Sequence, residues 1–75
     1  MKYVDGTEAR LGDRLKVSNG DVGVVVASKD TGEYSPEYPS EAWSEELSEG
    51  ILVLTEKGAL VKFDESHSKL LSKLR

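Results

Sequence analysis

The chain has 75 residues, no cysteine, and a net charge of −4 from fourteen acidic and ten basic residues. A chain of this length forms one small domain, here residues 1–75, and without cysteine neither a disulfide nor a thiolate zinc site can stabilise it. Its negative charge disfavours nucleic acid as a partner, because attraction to phosphates dominates that binding. No segment approaches the ~20 apolar residues of a membrane span or the apolar core of a signal peptide, so we expect a cytoplasmic protein with no membrane partner.

The first predicted element is a β-hairpin over residues 12–26, in which apolar and polar residues alternate on both sides of Asn19-Gly20. This dipeptide favours a two-residue type I′ turn. The apolar pairs would then face the core, Arg14 and Lys16 would face solvent, and Gly23 would permit strong twist or a close backbone approach. The predicted pairs are Val17 with Val22, Leu15 with Val24, and Asp13 with Val26.

A long connection over residues 28–50 follows, and it holds three of the five aromatic residues. Ser40 after Pro39 is a suitable helix N-cap and Gly50 a suitable stop, so we predict one or two helical turns near residues 41–47. Two interpretations of the aromatic residues stay open: Trp43 and a tyrosine fill one end of the core, or the tyrosines are exposed for binding.

The binding interpretation identifies the connection as the contact surface for a protein partner that carries a basic surface. Exposed aromatic rings among carboxylates are suited to such a partner, since complementary charge favours association. The predicted partner-binding residues are Glu33, Tyr34, Glu37, Tyr38, Glu41 and Glu45.

A second hairpin is predicted over residues 51–63. A three-residue loop, residues 56–58, places Gly58 in the left-handed conformation of a G1 bulge, whereas a two-residue loop would require a positive φ at Lys57. The predicted pairs are Leu54 with Leu60, Val53 with Val61, and Ile51 with Phe63.

The C-terminal residues 68–74 fit both a helical stripe and the alternation of a strand. We predict a short closing strand, because it would cover an exposed sheet edge. Together these elements predict a mainly β protein, a small five-stranded barrel with a long loop that carries the helical turn.

The stretch "LGDRLKVSNGDVGVVV" resembles the KOW-type entry to an SH3-like barrel. The resemblance covers about a third of the chain and rests on Gly12, Asp13, Leu15, Val17, Gly20, Gly23 and Val26. It implies an alternative function, a nucleic-acid or ribosome-associated module that contacts RNA through Arg10, Arg14 and Lys16. The short, non-basic turn departs from KOW segments that bind RNA. The chain also resembles small uncharacterised bacterial proteins that open with "DGTEARLGD", which implies a fold and no activity.

The residues indicate neither catalytic chemistry nor a cofactor. The single histidine, His67, lies in a polar segment where we predict a solvated loop, and the acidic runs lack the ligand spacing of a metal site. We therefore expect a non-enzymatic interaction module, a monomer or weak homo-oligomer, with an immunity-type inhibitor as one special case. The third possibility is a structural subunit that associates through an exposed strand edge.

Overall fold

The structure, a computed structural model, describes residues 1–43 and 49–74, with the backbone alone at residues 42–43. Most of its regular structure is β-strand. The strands are β1 (Arg14–Val17), β2 (Val22–Ser28), β3 (Glu33–Tyr34), β4 (Ile51–Thr55), β5 (Leu60–Phe63) and β6 (Leu71–Lys73). One helical turn, α1 (Ser40–Trp43), precedes β4, and a 3-10 helix (Glu65–Leu70) precedes β6.

All described strands belong to one antiparallel sheet with the order β5-β4-β2-β1-β6, and β3 pairs with the far end of β2. The prediction of a mainly β protein is confirmed. The sheet has six strands rather than five, because the two-residue β3 adds to the predicted set, and it does not close into a barrel. The helical turn is confirmed over Ser40–Trp43, and the rest of its predicted range lies outside the described residues.

The second hairpin has the predicted register. Ile51 lies opposite Phe63, Val53 opposite Val61, and Leu54 opposite Leu60. Gly58 has a φ of 83° and donates its N–H to the Thr55 carbonyl, as a G1-bulge loop requires.

The first hairpin differs from the prediction by one residue in register. Leu15 lies opposite Gly23, and the loop contains three residues, Ser18 to Gly20. Gly20 has a φ of 98°, while no non-glycine residue in the described part of the chain has a positive φ, so a type I′ turn is absent there. The physical reason is that this loop needs left-handed backbone only at the glycine, and the Asn19 Oδ1 atom accepts a hydrogen bond from the Asp21 N–H at 2.9 Å.

This one-residue shift reverses the faces of β2, because successive side chains on a strand point to opposite faces. Val22 and Val24 pair with Lys16 and Arg14 rather than with the apolar residues of β1. The close approach predicted at Gly23 is confirmed: a Cβ there would lie 2.6 Å from the Val53 Cγ1 atom and 2.8 Å from the Leu54 carbonyl oxygen.

The main core lies on the inner face of the sheet, beneath a segment that precedes β1. The segment contributes residues that the sequence analysis did not assign to the core, and it forms only an isolated bridge between Lys2 and Glu8. The buried members of the core are Met1, Tyr3, Ala9, Leu15, Val25, Ile51, Val53, Phe63 and Leu71.

The same segment is tied to the rest of the fold by polar contacts. The Val4 N–H donates to the Leu71 carbonyl at 3.0 Å, which covers part of the β6 edge. The Met1 ammonium binds the carboxylates of Glu8 and Asp30. Burial opposes the charged form of this ammonium, but the two carboxylates outweigh burial and raise its pKa.

The predicted closing strand is confirmed in a shorter form. Leu71–Lys73 pair with β1, whereas residues 68–70 belong to the 3-10 helix. Asp64 caps that helix by accepting a hydrogen bond from the Ser66 N–H, so the polar run before β6 is folded rather than extended.

Candidate functional site

The outer face of the sheet, opposite the main core, contains the groups best placed to meet a partner. A β-bulge at Val26 shifts the pairing of β2 with β4 between Val25 and Ala27. As a result both Val26 and Ala27 join a second apolar cluster, the outer cluster. Its buried members are Val26, Ala27 and Leu52, with Val24, Tyr34, Tyr38 and Leu54 packed against them.

The two predicted binding tyrosines belong to this outer cluster. Tyr34 pairs with Ala27 through β3, and the turn before Tyr38 is anchored by the Ser35 N–H, which donates to the Val26 carbonyl at 3.0 Å. Both tyrosines are half-buried. Each therefore contributes one side to packing and leaves only part of its ring for contact with another molecule.

Glu33 is held in a local network. Its carboxylate lies 3.1 Å from the Arg10 Nη2 atom and also accepts hydrogen bonds from the Thr31 hydroxyl at 2.8 Å and the Leu11 N–H at 3.3 Å. The hydrogen bond from Arg10, followed by those from Thr31 and Leu11, lowers the pKa of Glu33. Glu33 and Arg10, predicted for two different binding functions, thus pair with each other and link the segment before β1 to β3.

The remaining acidic residues of the predicted site are less constrained. Glu37 and Glu41 are exposed on either side of Pro39, close in sequence to Tyr38. Glu45 lies outside the described residues, as does the side chain of Trp43, so the prediction for each stays a prediction. Glu37 and Glu41 are thus the exposed carboxylates that flank Tyr38 in the sequence.

The three basic residues of the alternative prediction do not all lie together. Arg14 and Lys16 are both exposed and lie two residues apart on the outer face of β1. Neither side chain has an ion-pair partner within the described ranges. Arg10 is not brought together with them, because its guanidinium pairs with Glu33.

Next to Arg14 the outer face carries an open groove of about 280 Å³. Its apolar floor is formed by Val22, Val24 and Leu54, and Glu56 lies at its rim. Leu60, directly opposite Leu54, is 40% exposed and extends the apolar surface onto β5. The groove thus combines the half-buried aliphatic side chains of Val22, Val24 and Leu54 with the exposed cations Arg14 and Lys16 at its side.

This groove could not be predicted from the type I′ register of the first hairpin. The type I′ register placed Val22 and Val24 in the core, whereas the G1-bulge register places them on the outer face with Arg14 and Lys16. The predicted register of the second hairpin already pairs Leu60 with Leu54, and the structure leaves Leu60 40% exposed.

His67 lies in the 3-10 helix rather than in the predicted loop, and its side chain is 40% exposed. It is half-buried in the 3-10 helix, its Nδ1 atom accepts a hydrogen bond from the Asp64 N–H at 3.1 Å, and its ring packs edge-on against Phe63. In the described part of the chain, no group of three or more histidine or acidic side chains is arranged to hold a metal ion. None of the helices within residues 1–43 and 49–74 is long and apolar enough to cross a membrane.

Comparison of the chain with protein-family models, with curated proteins and with solved structures finds no match. The resemblance of the first hairpin to a KOW-type segment thus remains a prediction.

Proposed function

We propose that this protein is a non-enzymatic interaction module of the cytoplasm that binds a protein partner through the outer face of its sheet. The acidic connection next to that face, in which the exposed Glu37 and Glu41 flank the half-buried Tyr38, contacts a basic surface of the partner. No cofactor takes part. An immunity-type inhibitor, which would cover the basic nucleic-acid site of an enzyme, is a special case of this function.

One observation carries the proposal. The outer face combines an apolar groove over Val22, Val24 and Leu54 with the partly exposed rings of Tyr34 and Tyr38, and the exposed Glu37 and Glu41 flank Tyr38 in the chain. Protein interfaces have this composition, an apolar centre with aromatic residues and a polar rim. A small enclosed substrate site would instead need a cleft that surrounds its ligand, and this groove is open.

The test is site-specific photo-cross-linking in the cells that make the protein. A benzophenone amino acid at position 37 is expected to yield one discrete protein adduct, because this position is exposed and directly precedes Tyr38, which packs on the outer face. The same group at position 5, an exposed turn of the N-terminal segment, provides the matched control. In addition, Glu41→Lys should reduce the adduct at position 37, since it places a repulsive charge against a basic partner.

Absence of an adduct at position 37, or equal yields at positions 37 and 5, would contradict the proposal. If the adduct forms to the same extent in Glu41→Lys, the protein still has a partner, but the negative charge of Glu41 does not contribute to binding it. Circular dichroism of each variant checks that the fold is intact.

A nucleic-acid module is the second candidate, and the side-by-side exposure of Arg14 and Lys16 favours it. Two cations contact about two phosphates, so the logarithm of the binding constant should fall with a slope of about −2 against the logarithm of the salt concentration. Lys16→Glu should remove binding to generic RNA at low salt. Lack of any RNA binding by the wild-type chain at low salt would exclude this candidate.

A further inference from the structure

The turn of the first hairpin holds the only side-chain amide of the chain. The sequence has one asparagine, Asn19, and no glutamine. Asparagine is a chemically labile residue, and Asn19 is followed by Gly20, with both residues exposed. Glycine has no side chain to shield its backbone nitrogen, so in an open chain this nitrogen reaches the Cγ atom of the preceding asparagine. The dipeptide therefore has the composition that favours deamidation.

Deamidation of such a dipeptide proceeds through a cyclic imide. The Gly20 nitrogen gives its proton to hydroxide and bonds to the Asn19 Cγ atom, the Cγ–Nδ2 bond breaks, and the amide nitrogen gains a proton from water and leaves as ammonia. Water then opens the imide at either carbonyl. Breaking the new Cγ–N bond yields an aspartate at position 19, whereas breaking the original peptide bond leaves an isoaspartate, whose backbone runs through Cγ.

The closed turn engages each of the reacting groups in a hydrogen bond. The Gly20 N–H, which must lose its proton, donates to the Val17 carbonyl at 2.9 Å. The Asn19 Oδ1 atom, on the carbon under attack, accepts from the Asp21 N–H at 2.9 Å, and the departing Nδ2 atom donates to the Asp21 carboxylate at 3.3 Å. The imide nitrogen carries no hydrogen, so the bond to Val17 must break before the ring is complete.

We propose that Asn19 is a deamidation site controlled by this turn: the closed hairpin blocks the reaction, and opening of the turn permits it. A net intramolecular hydrogen bond changes an equilibrium constant by about fivefold, so the two bonds at 2.9 Å should slow the reaction roughly 25-fold relative to the unfolded chain. Exposed turns open locally without unfolding of the whole chain, so the reaction proceeds slowly in the folded protein. The extent of deamidation therefore records how often the turn has opened.

The product does not restore the closed turn. In an aspartate at position 19 a carboxylate replaces the Nδ2 donor and faces the Asp21 carboxylate, and the two like charges repel. An isoaspartate lengthens the backbone of a loop that contains three residues. Each deamidated molecule therefore carries a weakened connection between β1 and β2 and one further negative charge.

Mass spectrometry of the full chain tests the proposal, because any conversion of an amide to an acid must lie at Asn19. The wild-type protein is incubated at mildly alkaline pH, folded in buffer and unfolded in guanidinium chloride, and the conversion is followed with time. The folded chain is expected to react roughly 25-fold more slowly than the unfolded chain. Equal rates in the two states, a faster reaction in the folded chain, or no reaction in the unfolded chain would overturn the proposal.

Two variants separate the contact of Asp21 with Asn19 from the ion pair of Asp21 with Lys57. Asp21→Ala removes both, whereas Lys57→Ala removes only the ion pair, which joins the Lys57 Nζ atom to the Asp21 Oδ1 atom at 3.3 Å. Asp21→Ala should raise the folded rate about two- to fivefold relative to its own unfolded rate, and Lys57→Ala should keep this ratio near the wild-type value. No increase in Asp21→Ala, or an equal increase in both variants, would overturn the control by these turn contacts.

The consequence for the turn is measured on the product. Ion exchange separates the deamidated chain from the unreacted chain, because the product carries one more negative charge. Its unfolding midpoint in guanidinium chloride is expected to be lower than that of the unreacted chain. An unchanged midpoint would contradict the weakened connection between β1 and β2.

Discussion

Replacement of Gly50 by alanine tests how closely the start of β4 approaches the end of β5. Gly50 has a φ of 79°, and a Cβ at this position would lie 2.0 Å from the Phe63 carbonyl oxygen and 2.9 Å from the Asp64 Cα atom. Gly58→Ala is the matched control, because Gly58 has a φ of 83° but no atom within 4 Å of the added Cβ. Both variants carry left-handed strain, and only Gly50→Ala adds a backbone clash.

Left-handed backbone costs an alanine about 1–2 kcal/mol, which is the loss expected for Gly58→Ala. An overpacked site that must shift adds about 1–3 kcal/mol, so Gly50→Ala should lose about 2–5 kcal/mol in all. A domain of this size has a free energy of unfolding of about 4–11 kcal/mol, so the loss expected for Gly50→Ala is a large fraction of it.

Urea and thermal unfolding followed by circular dichroism measure both losses. One kcal/mol shifts the midpoint of a small domain by about 4–8 °C, so the difference between the two variants is well resolved. Equal losses in Gly50→Ala and Gly58→Ala would refute the close approach between residue 50 and the end of β5, and with it the way in which the long connection enters β4.

Three further predictions concern buried and titrating groups. Gly23→Ala should destabilise the chain by about 1–3 kcal/mol in urea unfolding, because its Cβ would meet the Leu54 carbonyl oxygen at 2.8 Å; a neutral result would contradict the close approach of β2 to β4. Burial, followed by the 2.9 Å hydrogen bond to Asp13, raises the pKa of Tyr3. Folding therefore favours the protonated phenol, and the free energy of unfolding should decline as pH rises above about 10. Tyr3→Phe should be less stable at neutral pH and should lack this part of the alkaline decline. The hydrogen bond from Arg10 lowers the pKa of Glu33 in the folded protein. The ionised Glu33 therefore stabilises the fold above about pH 4.3, and this stabilisation is lost as pH falls through the lower pKa of the folded state. Glu33→Gln should weaken the fall of the thermal midpoint at acid pH, and an unchanged fall would mean that other groups cause the acid sensitivity.

The two hairpins show what local sequence can decide. Lys57 resists a positive φ, so only the G1-bulge loop remained for the second hairpin, and its register was predicted correctly. Asn19 tolerates a positive φ, so two loops were possible for the first hairpin. The structure uses the same loop in both, with a left-handed glycine at Gly20 and Gly58. The tolerance of one residue for a positive φ therefore shows that a turn is allowed, but it does not decide between two allowed turns.

The N-terminal part of the core depends on contacts that local patterns do not encode. Tyr3 is 2% exposed, yet it precedes a polar turn, and its hydroxyl reaches Asp13 on the far side of that turn. Ala9 is fully buried although polar residues surround it in the sequence. Both positions become apolar sites only after the sheet has formed, because the sheet supplies the surface against which they pack.

The candidate site was predicted in composition and only partly in arrangement. The acidic, aromatic connection was identified from its residue types, and Glu37 and Glu41 do face solvent. The pairing of Glu33 with Arg10 joins residues 23 positions apart, a distance at which no periodicity gives a signal. The groove can be predicted only from the correct register of β1 with β2. It was missed because a type I′ turn was chosen for the first hairpin.

The hydrogen bond between Val4 and Leu71 has a consequence for how the chain folds during its synthesis on the ribosome. It joins residues near opposite ends of the sequence, so the inner layer cannot be completed until Leu71 has been translated and has left the exit tunnel. At about 5–20 residues per second, the N-terminal segment waits roughly 3–13 seconds for its partner strand. During that interval Met1 and Tyr3 are open to chaperones.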